Sequence, residues 1–148
     1  LQGPGSWASF TACQSWLSWC GIAFENICLK HIDQIKQGLG IAGVHTEHYV
    51  WRHTPKGQEQ GAQIDLLIDR QDQCMNLCEM KFSKTEFEIT KRYAEELQNK
   101  IDVFQALSKT NKTLFLTLVT THGVKNSNNY LGLVQQEITM EVLFNHVK

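Results

Sequence analysis

Two short apolar runs separated by a polar stretch constrain the fold of this chain more than any other feature. Residues 64–68 form an apolar run that holds one acid, Asp65, and residues 75–82 form a second that holds Glu79 and Lys81. Between them Asp69, Arg70, Gln71, Asp72 and Gln73 make a polar connection, short enough for a hairpin that lays the two runs side by side as strands. Asp65 is then expected beside Glu79. Side chains alternate along a strand, so Glu79 and Lys81 project from one face, about 7 Å apart at a rise of ~3.3 Å per residue.

Charge inside such runs calls for an explanation, because burying an unpaired carboxylate or ammonium costs several kcal/mol. Two carboxylates brought together near a Lys make a hard-oxygen site suited to Mg²⁺, which prefers carboxylate, water and phosphate oxygens to nitrogen or sulfur. The cation would relieve the repulsion between the acids. The bland alternatives are an edge-strand Asp65 exposed to water or paired with Arg70, and a Glu79/Lys81 salt bridge on a solvated face, a kind of pair worth little.

The rest of the chain reads as alternating helices and strands. Residues 7–18 mix aromatics with Ser, Thr and Cys and predict a short helix or an ordered arm; residues 21–37 carry helical spacing that Gly38 and Gly40 stop. Glu25 is thereby expected near the start of a long first helix, where an acid is also favoured by the helix dipole. Residues 44–53 predict a strand, followed by strands over 62–70 and 74–82. Residues 87–108 give the strongest helix, with Ile89, Tyr93, Leu97, Ile101, Phe104 and Leu107 on one side. Residues 113–121, "TLFLTLVTT", predict a strand buried on both faces. A short strand over 130–134 and a final helix over 139–147 complete the pattern. The fold class is therefore α/β, with a mixed central sheet flanked by helices in the order α-β-β-β-α-β.

A chain of 148 residues with 42% hydrophobic content is expected to build one domain. No apolar stretch approaches the roughly 20 residues of a membrane span, and no signal segment is present, so a cytoplasmic, membrane-free setting is expected. Residues 1–6 contain "GPGS" and read as a cloning remnant, leaving 7–148 as the domain, a piece of something larger. Five cysteines, Cys13, Cys20, Cys28, Cys74 and Cys78, are an odd number, which suits reduced thiols. Cys74 and Cys78 on one strand would lie about 13 Å apart, too far to share a zinc ion with ~2.3 Å bonds. Cys28 and His31 fit the apolar stripe of the first helix and are expected in the core.

The pattern of an Asp, about a dozen residues, then Glu-x-Lys at the end of a second apolar strand resembles the PD-(D/E)XK nuclease superfamily. The wider stretch "WCGIAFENICLKHIDQIKQGLGIAGV", with "GAQIDLLIDR" and "LCEMKFS", is similar to the C-terminal nuclease-like domain of bacterial and archaeal AAA-type ATPases, and the resemblance covers nearly all of residues 16–146. Ile64 stands where the name-giving motif has Pro. The resemblance implies a restriction-endonuclease-like core in which Asp65 and Glu79 hold Mg²⁺, or Mn²⁺ in its place. The Met80 carbonyl and Glu25, the helical acid of "AFEN", would complete the shell, and Lys81 would orient or activate the attacking water.

It further implies hydrolysis of DNA, with an ATPase domain in cis. Net charge −1 and pI near 6.6 predict a weak hold on DNA by this domain alone, because phosphate neutralisation supplies most non-specific affinity. Lys84, Lys91 and Arg92 are nearly cancelled by Glu86, Glu88, Glu95 and Glu96. The ATPase, a partner or a second copy would supply the missing surface. The alternative expectation is a catalytically silent nuclease fold that acts as a docking module, which the near-neutral surface and four tryptophans favour.

Overall fold

A computed structural model describes residues 4–57, 61–125 and 131–145, with side chains from Cys13 onward in the first helix. That helix, α1, runs over Pro4–Lys30, so residues 4–6, the expected arm of residues 7–18 and the segment up to Lys30 are one continuous helix. At 27 residues it is about 40 Å long. Among its described side chains Cys20, Phe24 and Cys28 recur every four residues and are buried, whereas Trp16, Trp19 and Ile22 face solvent.

The single helix expected over 21–37 is interrupted at His31. Its ring nitrogen Nδ1 lies 2.7 Å from the Ile27 carbonyl, and its backbone N–H donates to the Cys28 carbonyl. α2, Ile32–Gly38, then sets off separately and buries Ile35. His31 is thus a helix terminus rather than a core residue, while Cys28 is fully buried. Glu25 lies five residues before the end of α1 rather than near its start, so the helix dipole gives no reason for an acid there.

Five strands complete the sheet in the order β1-β2-β3-β4-β5: Thr46–His53, Ala62–Arg70, Cys74–Lys81, Thr113–Thr120 and Gln136–Thr139. β1, β2 and β3 are antiparallel neighbours; β4 and β5 run parallel to β3 and to each other. The predicted hairpin is present: β2 turns into β3 through Gln71, Asp72 and Gln73, and Gln73 takes a left-handed φ of 65°. Arg70 does not reach Asp65; it binds Asp72 and the buried Asn76.

β1 and β2 do not pair evenly. Tyr49 faces Leu67 and Trp51 faces Ile64, so Val50 stands opposite two residues, Asp65 and Leu66. This is a β-bulge, one extra residue in β2. Its effect on packing is visible on either side: Leu66 and Ile68 join a core with Phe24, Cys28, Ile35, Cys78 and Met80, beneath α1 and α2. Ile64 and Leu67 join the opposite core, with Met75, Leu77, Leu97, Phe104 and Leu116.

That second core is covered by α3, Lys91–Ser108, the crossover between parallel β3 and β4. The helix starts four residues later than its periodicity suggests because two local interactions intervene. Phe87 pairs with the strand-like Val124, donating to the Gly123 carbonyl and accepting from the Lys125 N–H, and Thr90 caps the helix by accepting the Tyr93 N–H at 3.1 Å.

At the C-terminal side the expected order fails twice. Residues 131–133 form a 3₁₀ turn, not a strand, and pairing shifts to β5, where Ile138 is buried and Gln136 meets Asn76; Tyr130 lies outside the described residues. Over its described part the expected last helix is a short 3₁₀ segment, Met140–Phe144, in which Leu143 is buried before Asn145 turns extended; residues 146–147 lie outside the described residues. Five residues are too few to offset helix nucleation. The result is a mixed α/β fold, a five-stranded sheet with α1 and α2 on one face and α3 on the other. Among the described residues no helix is long and apolar enough to cross a membrane.

Candidate active site

The β2–β3 ladder stops at Leu66↔Cys78. One residue further on, Asp65 and Glu79 would face each other, and here a side chain replaces the backbone ladder: Asp65 Oδ2 accepts the Met80 N–H at 2.9 Å. The strand end is thus closed by a carboxylate, which is held in place by the bond it makes. The bulge at Asp65 is what lets an acid occupy this position without moving Ile64 out of its core.

Glu79 is 2% exposed. Its partner is Lys100 of α3, whose Nζ donates to Glu79 Oε1 at 3.1 Å. Burial, and then the negative charge of Asp65, push the Glu79 carboxyl up to about 8; Lys100 pulls it back in part, and a side-chain hydrogen bond with Asp65 favours the protonated form. The two acids are therefore neighbours whose repulsion one ammonium does not cancel. Lys81 lies on the same face as Glu79, as the period of two requires, and its ammonium sits 5.0 Å from the centre of the Tyr93 ring.

Glu25 approaches from α1. Its carboxyl is raised above the usual range by partial burial and by Asp65, and Lys81 and Arg52 oppose the shift. The helical acid thus shares an electrostatic environment with Asp65 and Lys81 although it sits late in its helix. Met80 contributes differently: its side chain belongs to the core beneath α1, and its N–H is the group that holds Asp65. Phe24 and Phe82, with ring centres 6.5 Å apart, pack on the α1 side of the same strand end.

α3 adds two residues that sequence reasoning did not assign to the site. Lys100 is one; its signal is a charge set next to the apolar stripe, three residues after Leu97 and four before Phe104. Tyr93 is the other. Its ring packs against Phe87, but its hydroxyl is buried with no hydrogen-bond partner among the described residues. Burial, then Glu79 and Asp65, hold that phenol well above its ordinary range. Beside α3 lies a groove of about 590 Å³ lined by Gly61, Arg92, Glu95, Glu96, Asn99 and Lys100. Neither Asp65 nor Glu79 lines it; Lys100 connects the two.

Among the described residues no three His, Cys, Asp or Glu side chains are grouped to hold a metal ion. The donor set that is present is smaller and harder: two carboxylates, one of them destabilised as an anion by the other. It fits the way Mg²⁺ is usually held, by one or two carboxylates with water and substrate phosphate filling the remaining positions. It does not fit zinc. Cys28 and Cys78 are buried in the core, and burial pushes the Cys28 thiol up to about 12 and the Cys78 thiol higher still, so neither is a ready thiolate.

No model of a known protein family and no curated protein matches the chain. A similar solved structure is that of AF1548, a protein of unknown function: identity is 18%, the TM-score is 0.46, and the match covers 79% of this chain and 64% of that one.

Proposed function

We propose that this chain is a divalent-metal-dependent phosphodiesterase domain with a restriction-endonuclease-like core of the PD-(D/E)XK type, acting on DNA. The observation that carries the reading is the buried Glu79 beside Asp65 at the shared end of two adjacent strands, with Lys81 on the same face. Asp65 and Glu79 would hold Mg²⁺, with the Met80 carbonyl as a further oxygen donor; Glu25, expected as a ligand, is not grouped with them and acts on the site through its charge. Bound there, the cation supplies a neutralising charge to the phosphate and lowers the pKa of a water molecule. Lys81, anchored over the Tyr93 ring, orients that water, and Asp65 keeps its position through the Met80 N–H. A weak hold on DNA, an ATPase domain in cis and a cytoplasmic setting belong to the same reading.

The test is Mg²⁺-dependent cleavage by the wild type and by Glu79→Ala and Lys81→Ala in the longest available form of the protein. Both variants should keep their fold by circular dichroism and lose cleavage; unchanged cleavage in either one refutes the mechanism. A second reading, a silent docking module, is favoured by one observation, the solvent-facing Trp16, Trp19 and Ile22 of α1. It gains if millimolar Mg²⁺ or Mn²⁺ leaves the melting temperature unchanged, because a ligand that binds only the folded state must raise it.

A further inference from the structure

Lys100 stands where two environments meet. Its ammonium donates to Glu79, which is 2% exposed, while the Lys100 side chain itself is 24% exposed and borders the α3 groove. Helix phase puts it there: seven residues after Tyr93 and three after Leu97, it lies beside the stripe that packs on the sheet. A second carboxylate is one turn away. Glu96, four residues earlier on the same face, lines the groove and is half-exposed, with a 3.5 Å contact to the exposed Arg92.

The ammonium rests inward on Glu79, and the lysine stem, four carbons long and flexible, can swing it outward toward the Glu96 side of the groove. Inward, it takes up one acceptor position of Glu79 Oε1. A Mg–O bond is ~2.0–2.1 Å, and a divalent ion at that distance from Oε1 would meet the ammonium at close range. The two positive charges repel each other at that range, which weakens the hold of the ammonium on that oxygen. We propose that Lys100 is a tethered placeholder: its ammonium, donating to Oε1, holds Glu79 in place in the metal-free protein, and a divalent cation displaces it into the α3 groove. The proposal rests on the reading of Asp65 and Glu79 as a metal pair. Lys100 is then a positioning residue that sets how tightly the site takes its ion.

Calorimetric titration with MgCl₂ and, separately, MnCl₂ tests this on the wild type, Lys100→Met, Lys100→Gln and Lys100→Arg. Removal of the competing charge should tighten binding by about tenfold, equivalent to about 1.4 kcal/mol, in both neutral variants, and lower the metal-free melting temperature. Lys100→Arg should bind within about twofold of the wild type. Lys100→Gln keeps an amide that can donate to Glu79, so it carries the test if the Met variant does not fold. Equal or weaker binding in a folded neutral variant, with the wild type binding normally, overturns the proposal and leaves the metal pair standing. No binding by any form at millimolar ion removes the metal pair, and the proposal with it.

Discussion

Glu79→Gln should change how stability depends on pH, and the slope can be worked from the site. In the folded protein burial and the neighbouring Asp65 push the Glu79 carboxyl up to about 8, against an ordinary value of 4.5. Between those two values the folded state keeps a proton that the unfolded chain has released, so stability falls as pH rises. One unit of pKa difference corresponds to about 1.4 kcal/mol, so the wild type should lose up to about 1.4 kcal/mol per pH unit across that window and level off above pH 8. Gln carries no titrating proton and removes this slope. Lys100, left without its partner, is partly exposed and can turn outward, so it adds an offset that is nearly constant with pH. Urea unfolding with a chelator, at half-unit steps from pH 5 to 8.5, gives the difference between the two proteins. It should grow by on the order of 2 kcal/mol in favour of Gln from pH 5.5 to 7.5. Parallel curves would refute the account of Glu79 as a buried acid set against Asp65.

Other substitutions separate the roles of neighbouring groups. Asp65→Ala leaves the Met80 N–H without its acceptor and should cost about 1–3 kcal/mol in urea unfolding, whereas Asp65→Asn retains an acceptor oxygen and should cost less; equal losses would argue against the 2.9 Å bond. Thr90→Ala removes the cap on the α3 turn that carries Tyr93 and should cost about 1 kcal/mol by calorimetric melting. Tyr93→Phe deletes a buried hydroxyl with no partner among the described residues. It should leave stability unchanged or raise it by up to about 1 kcal/mol, and a clear loss would mean that the hydroxyl is bonded after all.

Legibility along the chain tracks how local the physics is. The β2–β3 hairpin and the face shared by Glu79 and Lys81 are readable because strand alternation and a short polar connection act over a few residues. The expected bounds of β2 are the observed ones. Helix α1 is harder to read: residues 7–18 mix aromatics with Ser, Thr and Cys and show no clean apolar period, and its end depends on a His31 contact that no propensity foretells. Periodicity places the start of α3 too early because Phe87 and Ile89 continue the helical spacing while pairing and burial elsewhere claim them. At the site, the acids announce themselves as charges in apolar runs. Lys100 does not, since a lysine on an otherwise charged helix looks solvated until the sheet beneath it is known. The bulge at Asp65 is also hidden, because a run of apolar residues reads the same on either face.

That bulge bears on how such a site is gained and lost. Without Asp65 the neighbouring residues Ile64, Leu66, Leu67 and Ile68 alternate strictly between the two cores in which they are found. Asp65 is therefore the extra residue of β2, and the acid and the irregularity coincide in one position. Excision of that single residue would leave a straighter strand that keeps its apolar partners and lacks its chemistry. The scaffold and the acid are separable in a way that substitution at Glu79, with its buried contact to Lys100, is not. Loss or gain of a residue at this one position would alter the regularity of the strand and the presence of its acid together.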